Sequence, residues 1–268
     1  MTNSARFLLP VSCLALALLF SAPAGAVDVT SCGQIIPARQ TADLIADLDC
    51  PDAPSSGTLQ ELSGIYLERG ARLHLNGFTL SGEVYGVGCE GTCTIEGPGT
   101  IRDFAEGVVS YGTTKVENVV FQDSNGYAIH VYGEKTLKAE DVTVLDHDGL
   151  VAMAASRMKA KNVTIERCWY GIITLKTLVA TGLTVRDCGQ RAIGAGTVRG
   201  KDLTVVDNAG IGIIASKIIL ADSVVTGNDT GSTGIDLQSA RAPKLTNTTC
   251  ELSADADTGT PFGVCSED

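Results

Sequence analysis

The chain has 268 residues, a formal net charge of −11 at pH 7 and a hydrophobic fraction of 44%. This length fits one large domain, and the acidic balance disfavours nucleic acid and anionic membranes as partners. A polyanionic substrate would need a bridging cation to approach such a surface. Nine cysteines and only three scattered histidines favour disulfides over a zinc site.

Residues 1–26 have the composition of a secretory signal peptide. Arg6 supplies a positive n-region, residues 11–20 form an apolar h-region, and Ala24-Gly25-Ala26 is a small-residue cleavage site. The apolar run is too short to span a bilayer comfortably. We therefore expect a secreted or periplasmic protein without a membrane span. Loss of Cys13 leaves eight cysteines, an even number that suits an oxidising compartment.

From residue 65 to residue 242 the sequence repeats with steps of 20 to 23 residues. Each repeat has a Thr or Val, an apolar residue and a variable residue, with Asp in fourth place in most repeats. These motifs begin at Thr79, Thr100, Val120, Thr143, Thr164, Thr184, Thr204 and Val224. A small residue followed by an apolar one, such as Gly171-Ile172, comes after most of them. Periodicity of this kind indicates a repeat architecture.

The repeat is too short for a pair of useful helices, and its segments are β-branched and interrupted by Gly, Asp and Asn. The fixed leucine spacing of leucine-rich repeats is absent. We therefore predict an all-β fold, a right-handed parallel β-helix (β-solenoid) of about 8–9 coils. Each coil would contribute three short strands, and residues one repeat apart would be stacked neighbours.

Stacking in register also predicts disulfides. Cys168 and Cys188 occupy the same place in neighbouring repeats, so their Cα atoms should lie at a distance that a disulfide accepts. Proximity in sequence suggests three further pairs, Cys32–Cys50, Cys89–Cys93 and Cys250–Cys265. Eight cysteines nevertheless allow roughly a hundred pairings. Residues 27–64 and 243–268 lack the repeat, and we predict that they form disulfide-bonded end caps over the exposed core.

The segment GIYLERGARLHLNGFTLSG (residues 64–82), followed by repeats of the Gly-Ile…Val-Thr-Val-x-Asp type, resembles the right-handed parallel β-helix repeat proteins of the pectin-lyase-like superfamily. The resemblance covers most of the chain from about residue 32 onward. It implies the fold, but that fold hosts lyases, hydrolases, epimerases, phage tailspikes and non-catalytic solenoids. The Asn-Thr-Asp, Gly-Asp-Asp, Gly-His-Gly and Arg-Ile-Lys signatures of the galacturonan hydrolases are missing, and no arginine is marked out as a lyase base.

The turns that follow the Thr motifs concentrate residues suited to sugar chemistry. Asp146, His147 and Asp148 are the candidate catalytic residues, because neighbouring carboxylates separate each other's pKa values and histidine can carry a proton. The only tryptophan lies in the same stripe, and its flat apolar face suits a sugar ring. The candidate substrate-binding residues are Asp123, Arg167, Trp169, Tyr170, Asp187 and Arg191.

The same residues have simpler explanations. An aspartate at each corner would recur because the turn recurs, by accepting hydrogen bonds from turn N–H groups. His147 would then be a solvated turn residue, and Trp169 and Tyr170 would cover a coil edge or a disulfide. Stacked acids suggest one cofactor, a bound Ca²⁺. Adjacent apolar residues such as Ile172-Ile173 predict an outer apolar stripe, covered by a partner or by a cap loop.

We therefore predict a monomeric secreted or periplasmic β-helix protein that associates with carbohydrate, by binding or by processing a polysaccharide. If it is an enzyme, the expected activity is that of a polysaccharide hydrolase or lyase. The alternative is a non-catalytic structural or adhesive β-solenoid. The missing signatures, the regular coils and the lack of long inserted loops favour that alternative.

Overall fold

The computed structural model describes residues 25–51, 56–229 and 234–268. Almost all of the predicted signal peptide, including Cys13, lies outside the described residues. Over these ranges, no helix is long and apolar enough to cross a membrane. The described chain is a parallel β-solenoid of about nine coils, as the repeat predicts.

Within the described residues, the solenoid is built from β-strands and one helical turn, α1 Leu59–Leu62. In chain order the strands are β1 Val27–Val29, β2 Gln34–Ile36, β3 Thr41–Leu44, β4 Leu48–Cys50, β5 Ser63–Leu67, β6 Arg72–His74, β7 Thr79–Gly82, β8 Tyr85–Cys89, β9 Cys93–Glu96, β10 Thr100–Arg102, β11 Glu106–Ser110, β12 Thr114–Glu117, β13 Val120–Gln122, β14 Tyr127–Val131, β15 Thr136–Glu140, β16 Thr143–His147, β17 Val151–Cys168, β18 Ile172–Arg186, β19 Ile193–Lys201, β20 Thr204–Val206, β21 Ile213–Ala221, β22 Val224–Thr226, β23 Leu237–Ser239, β24 Lys244–Thr246, β25 Thr249–Cys250 and β26 Ser253–Asp255.

Each coil passes through three parallel ladders, which we call sheets I, II and III. Sheet I runs through β2, β5, β8, β11 and β14, sheet II through β3, β6, β9, β12 and β15, and sheet III through β4, β7, β10, β13 and β16. Strand β17 winds through all three, with residues 151–155 in sheet I, 157–161 in sheet II and 164–168 in sheet III. The later strands continue the ladders, ending at β26, β24 and β25 respectively.

The predicted register is confirmed residue by residue in sheet III. The Cα partners run Thr79, Thr100, Val120, Thr143, Thr164, Thr184, Thr204 and Val224. These β-branched residues face outward, where they suit a pleated surface. The residue after each one points inward, so that Ile101 and Ile165 are fully buried. Alternation of this kind fills one continuous apolar core along the axis.

Both ends of the rod reach further than the repeat suggests. At the N-terminal end, β1 already pairs in parallel with β3, and Thr41 pairs with Arg72. At the C-terminal end, β24 and β26 lie beyond residue 242 and continue sheets II and I. The sequence steps there are irregular, because Val27 pairs with Ala42 after 15 residues and Thr41 pairs with Arg72 after 31. That difference in step hides the first coils from a search for periodicity.

All four predicted disulfides are present. They join Cys32–Cys50, Cys89–Cys93, Cys168–Cys188 and Cys250–Cys265. Cys168 and Cys188 face each other across neighbouring coils, with Cα atoms 4.4 Å apart. The first and last disulfides lie near the two ends of the rod, where they hold irregular coils in place.

Candidate functional site

The predicted site lies along the corner where sheet III ends and the next strand of sheet I begins. On six successive coils the corner residue has a left-handed backbone, with φ between 51° and 63°. These residues are Asp103, Asp123, Asp146, Arg167, Asp187 and Asp207. Aspartate tolerates this conformation better than most residues that carry a side chain. Backbone conformation therefore explains the aspartate repeat, and in the described chain no turn N–H donates to Asp123 or Asp187.

Asp146 is tied to a neighbouring coil. Its two carboxylate oxygens accept hydrogen bonds from Nε and Nη2 of Arg167, and the second of these measures 3.0 Å. Glu166 extends the network, with Oε1 2.7 Å from Nη2 of Arg186. The bond and charge of Arg167 lower the pKa of Asp146. Asp146 therefore stays ionised at neutral pH, whereas a general acid needs a raised pKa.

His147 faces the core, so the expectation of a solvated turn residue is wrong. Its relative exposure is 0%, its Cα partner is Cys168, and Nε2 lies 3.2 Å from the carbonyl oxygen of Gly126. Nδ1 is buried without a hydrogen-bond partner. Burial lowers the pKa of His147, partly opposed by backbone carbonyls and the charge of Asp148. The imidazole is therefore neutral near pH 7 and has no contact with solvent.

Seven successive coils share the inward direction of His147. The residue that follows the left-handed corner points into the rod at Phe104, Ser124, His147, Cys168, Cys188, Asn208 and Asn228. Asp148, one residue further on, is exposed. The three candidate catalytic residues thus diverge: one is salt-bridged on the surface, one is buried, and one is solvated.

Tyr170 and Arg191, both predicted to bind substrate, do lie together. They line an open groove of ≈ 380 Å³ at the corner that leads into sheet I, with Gln190, Ile211, Asp229, Ile235 and Gln238 among the other lining residues. Backbone hydrogen bonds place Tyr170, Arg191 and Ile211 on three successive coils. The groove therefore crosses several coils along the rod axis.

Trp169 stands beside this groove. Its ring packs over Gly189 of the next coil, where a Cβ atom would lie only 2.8 Å from Cε3 of the indole. It meets Tyr170 edge to face, with ring centroids 6.4 Å apart, and its relative exposure is 47%. One indole face thus rests on the backbone, while much of the ring is open to a ligand. Any residue larger than glycine at position 189 would displace the ring.

A buried polar ladder supports the groove from behind. Asn208 accepts a hydrogen bond from the backbone N–H of Cys188 at 3.0 Å and donates to Asn228 at 2.8 Å. Asn228 in turn donates to Asp236 at 2.8 Å, and the second oxygen of Asp236 accepts from the N–H of Glu251 at 2.7 Å. Burial raises the pKa of Asp236, although these donors oppose the shift. The ladder fixes the turns from which the groove is built.

The remaining predicted binding residues lie outside the groove. Asp123 and Asp187 are exposed corner residues, and Asp187 lies 4.0 Å from Arg186. Arg167 is committed to Asp146. Of the six predicted substrate-binding residues, Trp169, Tyr170 and Arg191 are the ones that the fold brings together.

Sequence reasoning missed an aromatic cluster nearer the N-terminal end of sheet I. The ring of His130 lies between those of Tyr127 and Tyr132, with centroids 4.1 and 3.7 Å away, and Tyr132 stacks on Tyr111 at 5.2 Å. Nδ1 of His130 is 3.3 Å from Oε2 of Glu106. Burial raises the pKa of Tyr132 to about 12, and the charge of Glu106 adds to the shift. The sequence does contain an indication of this cluster, because all six tyrosines lie in or close to strands of sheet I.

Across the described part of the chain, no group of three or more His, Cys, Asp or Glu side chains is arranged to hold a metal ion. The corner carboxylates are distributed one per coil, and Asp146 is occupied by Arg167.

Comparison with known proteins bears on the fold. A search of curated proteins and a search of solved structures returned no match. The family model described as a right-handed β-helix region matches residues 100–253, which is more than half of the chain. The matched segment contains the sheet III ladder from Thr100 onward, the groove and the aromatic cluster. The chain belongs to the right-handed β-helix family.

Proposed function

We propose that the protein binds a polysaccharide, without cleaving it, in the groove beside Trp169. The observation that supports this proposal is that Tyr170 and Arg191 line one open groove and that Trp169, half exposed, contacts Tyr170 beside it. An aromatic face packs against the C–H face of a sugar, and the phenol and guanidinium offer hydrogen bonds to its hydroxyls. Several coils contribute to the groove, so it suits a chain of sugar units.

The geometry around Asp146 supports binding over cleavage. Acid–base hydrolysis requires two carboxyl groups on the same sugar-facing surface, one of them with a raised pKa. Asp146 has a lowered pKa and a bidentate arginine partner, and His147 lies inside the rod. These features favour binding over cleavage. We therefore assign the sugar contacts to the groove and not to Asp146 and His147.

The test is a glycan-array screen of the purified protein with and without Ca²⁺, followed by product analysis of every hit. We expect binding without new reducing ends or unsaturated products. The Trp169→Ala variant should weaken binding by about tenfold, the loss expected when about 1.4 kcal/mol of stacking is removed. A requirement for Ca²⁺ would support the cation that the stacked acids suggest.

A matched control is Tyr111→Ala, which removes an exposed aromatic ring from the cluster around His130, away from the groove. That variant should bind as the parent does. Equal losses of glycan affinity in both variants would show that the glycan binds outside the groove. Cleavage of a bound glycan would show that the protein is an enzyme. Lack of binding to every neutral and acidic glycan on the array would favour the alternative, a non-catalytic structural solenoid.

A further inference from the structure

Positive charge is concentrated on the outer side of sheet II, although the chain as a whole is acidic. From β12 to β24 the outward positions of this sheet carry nine lysines and arginines but two glutamates. We call this surface the basic face. Since the formal net charge of the chain is −11, the excess of negative charge lies on the other surfaces.

The lysines of the basic face are stacked. Lys115, Lys138 and Lys159 are Cα partners on three successive coils, and Arg199 holds the same position two coils further along. Neighbours in such a ladder are about 4.8 Å apart. Like charges placed directly opposite each other destabilise a sheet. The fold therefore maintains a repulsion that a bound polyanion would relieve.

Much of this charge is not neutralised within the protein. The two glutamates of the face form the pairs Lys115–Glu117 and Lys161–Glu140. Lys138, Lys159 and Arg199 are exposed, and within the described ranges no acidic group forms an ion pair with them. These three cations remain available to a ligand.

The surface also has a continuous track. Two shallow grooves of ≈ 330 and ≈ 280 Å³ lie on the basic face, the first reaching from Lys115 to Thr181 and the second from Val179 to Thr246. They share Val179 and Thr181, so together they cross seven successive strands of sheet II, from β12 to β24. An elongated ligand lying along the rod would meet a cation on most coils.

One edge of the track is acidic. Asp141, Asp202 and Asp222 occupy left-handed corners where strands of sheet II end. Oδ1 of Asp222 accepts a hydrogen bond from Asn247, and its Oδ2 lies 3.9 Å from Nζ of Lys201. This edge would repel an anion, so a ligand is confined to the column that contains Lys138, Lys159 and Arg199.

We propose that the basic face binds a linear anionic polysaccharide laid along the rod axis. Single-stranded nucleic acid is less well matched, because its recognition relies on aromatic stacking, and the outward positions from β12 to β24 carry no aromatic residue. Reading of duplex DNA requires an element that enters a groove, which a sheet face of this kind lacks. This binding is separate from the proposed binding in the groove beside Trp169, and either can fail without the other.

The test is fluorescence anisotropy with labelled heparin and alginate oligomers, using neutral dextran as the uncharged control. The parent should bind the anionic oligomers, and above about 0.1 M salt the affinity should fall steeply as counterion release is suppressed. The variant Lys138→Gln/Lys159→Gln/Arg199→Gln should lose at least roughly tenfold in affinity, since three contacts with anions are removed.

A matched variant, Arg39→Gln/Arg102→Gln/Arg241→Gln, removes the same charge from exposed positions elsewhere and should bind as the parent does. Trp169→Ala should also leave this binding intact. Equal losses in the two triple variants, or no binding above dextran, would overturn the proposal. Tighter binding to single-stranded DNA or to phosphatidylserine vesicles would overturn the choice of polysaccharide and assign the face to that polymer or to a membrane surface.

Discussion

At the scale of single residues, the corner between sheets III and I combines two requirements. The left-handed residue faces solvent and can be aspartate or even arginine, as at Arg167, while the next residue must fit inside the rod. Asp146 and His147 are therefore neighbours in sequence with opposite environments. Chemistry that needs both groups at one ligand is ruled out by this backbone geometry.

The buried His147 predicts a pH dependence of stability. Because burial lowers its pKa in the folded state, the unfolded chain binds more protons once the pH drops below the ordinary value of 6.5. The free energy of unfolding should therefore fall with decreasing pH in that range, by up to about 1.4 kcal/mol per pH unit. Urea titrations of the parent and His147→Asn at several pH values between 7.5 and 5.5 would measure this effect.

Asparagine is a suitable replacement because Asn208 and Asn228 occupy the same inward position on later coils. The variant should lose the His147 contribution to the slope, whatever its absolute stability. Parallel pH profiles for the two proteins would show that His147 titrates alike in the folded and unfolded states.

At the scale of strands and coils, much of the structure can be predicted because the repeat step is regular. A step of 20 residues places Cys168 beside Cys188 and Thr184 beside Thr204, and both pairings are observed. Whether a side chain at the corner faces the core or the solvent is harder to predict. The inward-facing residues that follow the left-handed corner residues are Phe, Ser, His, Cys and Asn, which are not uniformly hydrophobic. Only Phe104 and the bonded cysteines indicated that this column is buried.

The candidate site was predictable in part for the same reason. Trp169, Tyr170 and Arg191 follow from stacking, since each lies near the same place in its coil. The cluster around His130 depends on side-chain directions across two strands and a turn. A period alone does not supply those directions.

The disulfides predict which coils open first under reducing conditions. Attack by a thiolate requires access to sulfur, and Cys89, Cys93, Cys168 and Cys188 are buried whereas Cys32 is exposed and Cys265 is partly exposed. Mild reductant should therefore open Cys32–Cys50 and Cys250–Cys265 first. Hydrogen exchange read by mass spectrometry should accelerate at the two ends while β13 to β20 stay protected.

The Cys168→Ala/Cys188→Ala variant is the control for this experiment. It should lose roughly 3 kcal/mol of stability, as expected for a loop of this length. Its ends should exchange no faster than those of the parent. Early loss of protection in the middle of the parent under mild reductant would contradict the assignment of the ends as the labile coils.

At the scale of the whole molecule, net charge is a poor guide to partners because the charges are segregated. The average of −11 argues against polyanions, yet the basic face presents cations along one side of a rod roughly 40 Å long. Whether a partner experiences the charge of the nearest face or that of the whole molecule depends on the Debye screening length of the solution. That length is about 30 Å at 0.01 M ionic strength and about 10 Å at 0.1 M.

This segregation predicts the behaviour of the protein on a cation exchanger at pH 7, well above its sequence pI of ≈ 4.7. At about 0.01 M salt the screening length is long, so the resin interacts with the negative charge of the whole molecule and retention should be weak. Near 0.1 M the resin meets only the nearest face, so the parent should be retarded before still higher salt releases it. The Lys138→Gln/Lys159→Gln/Arg199→Gln variant should pass unretained throughout, whereas Arg39→Gln/Arg102→Gln/Arg241→Gln, with the same net charge, should be retarded like the parent. Exclusion of the parent at every salt concentration would mean that the acidic surfaces dominate even at short range.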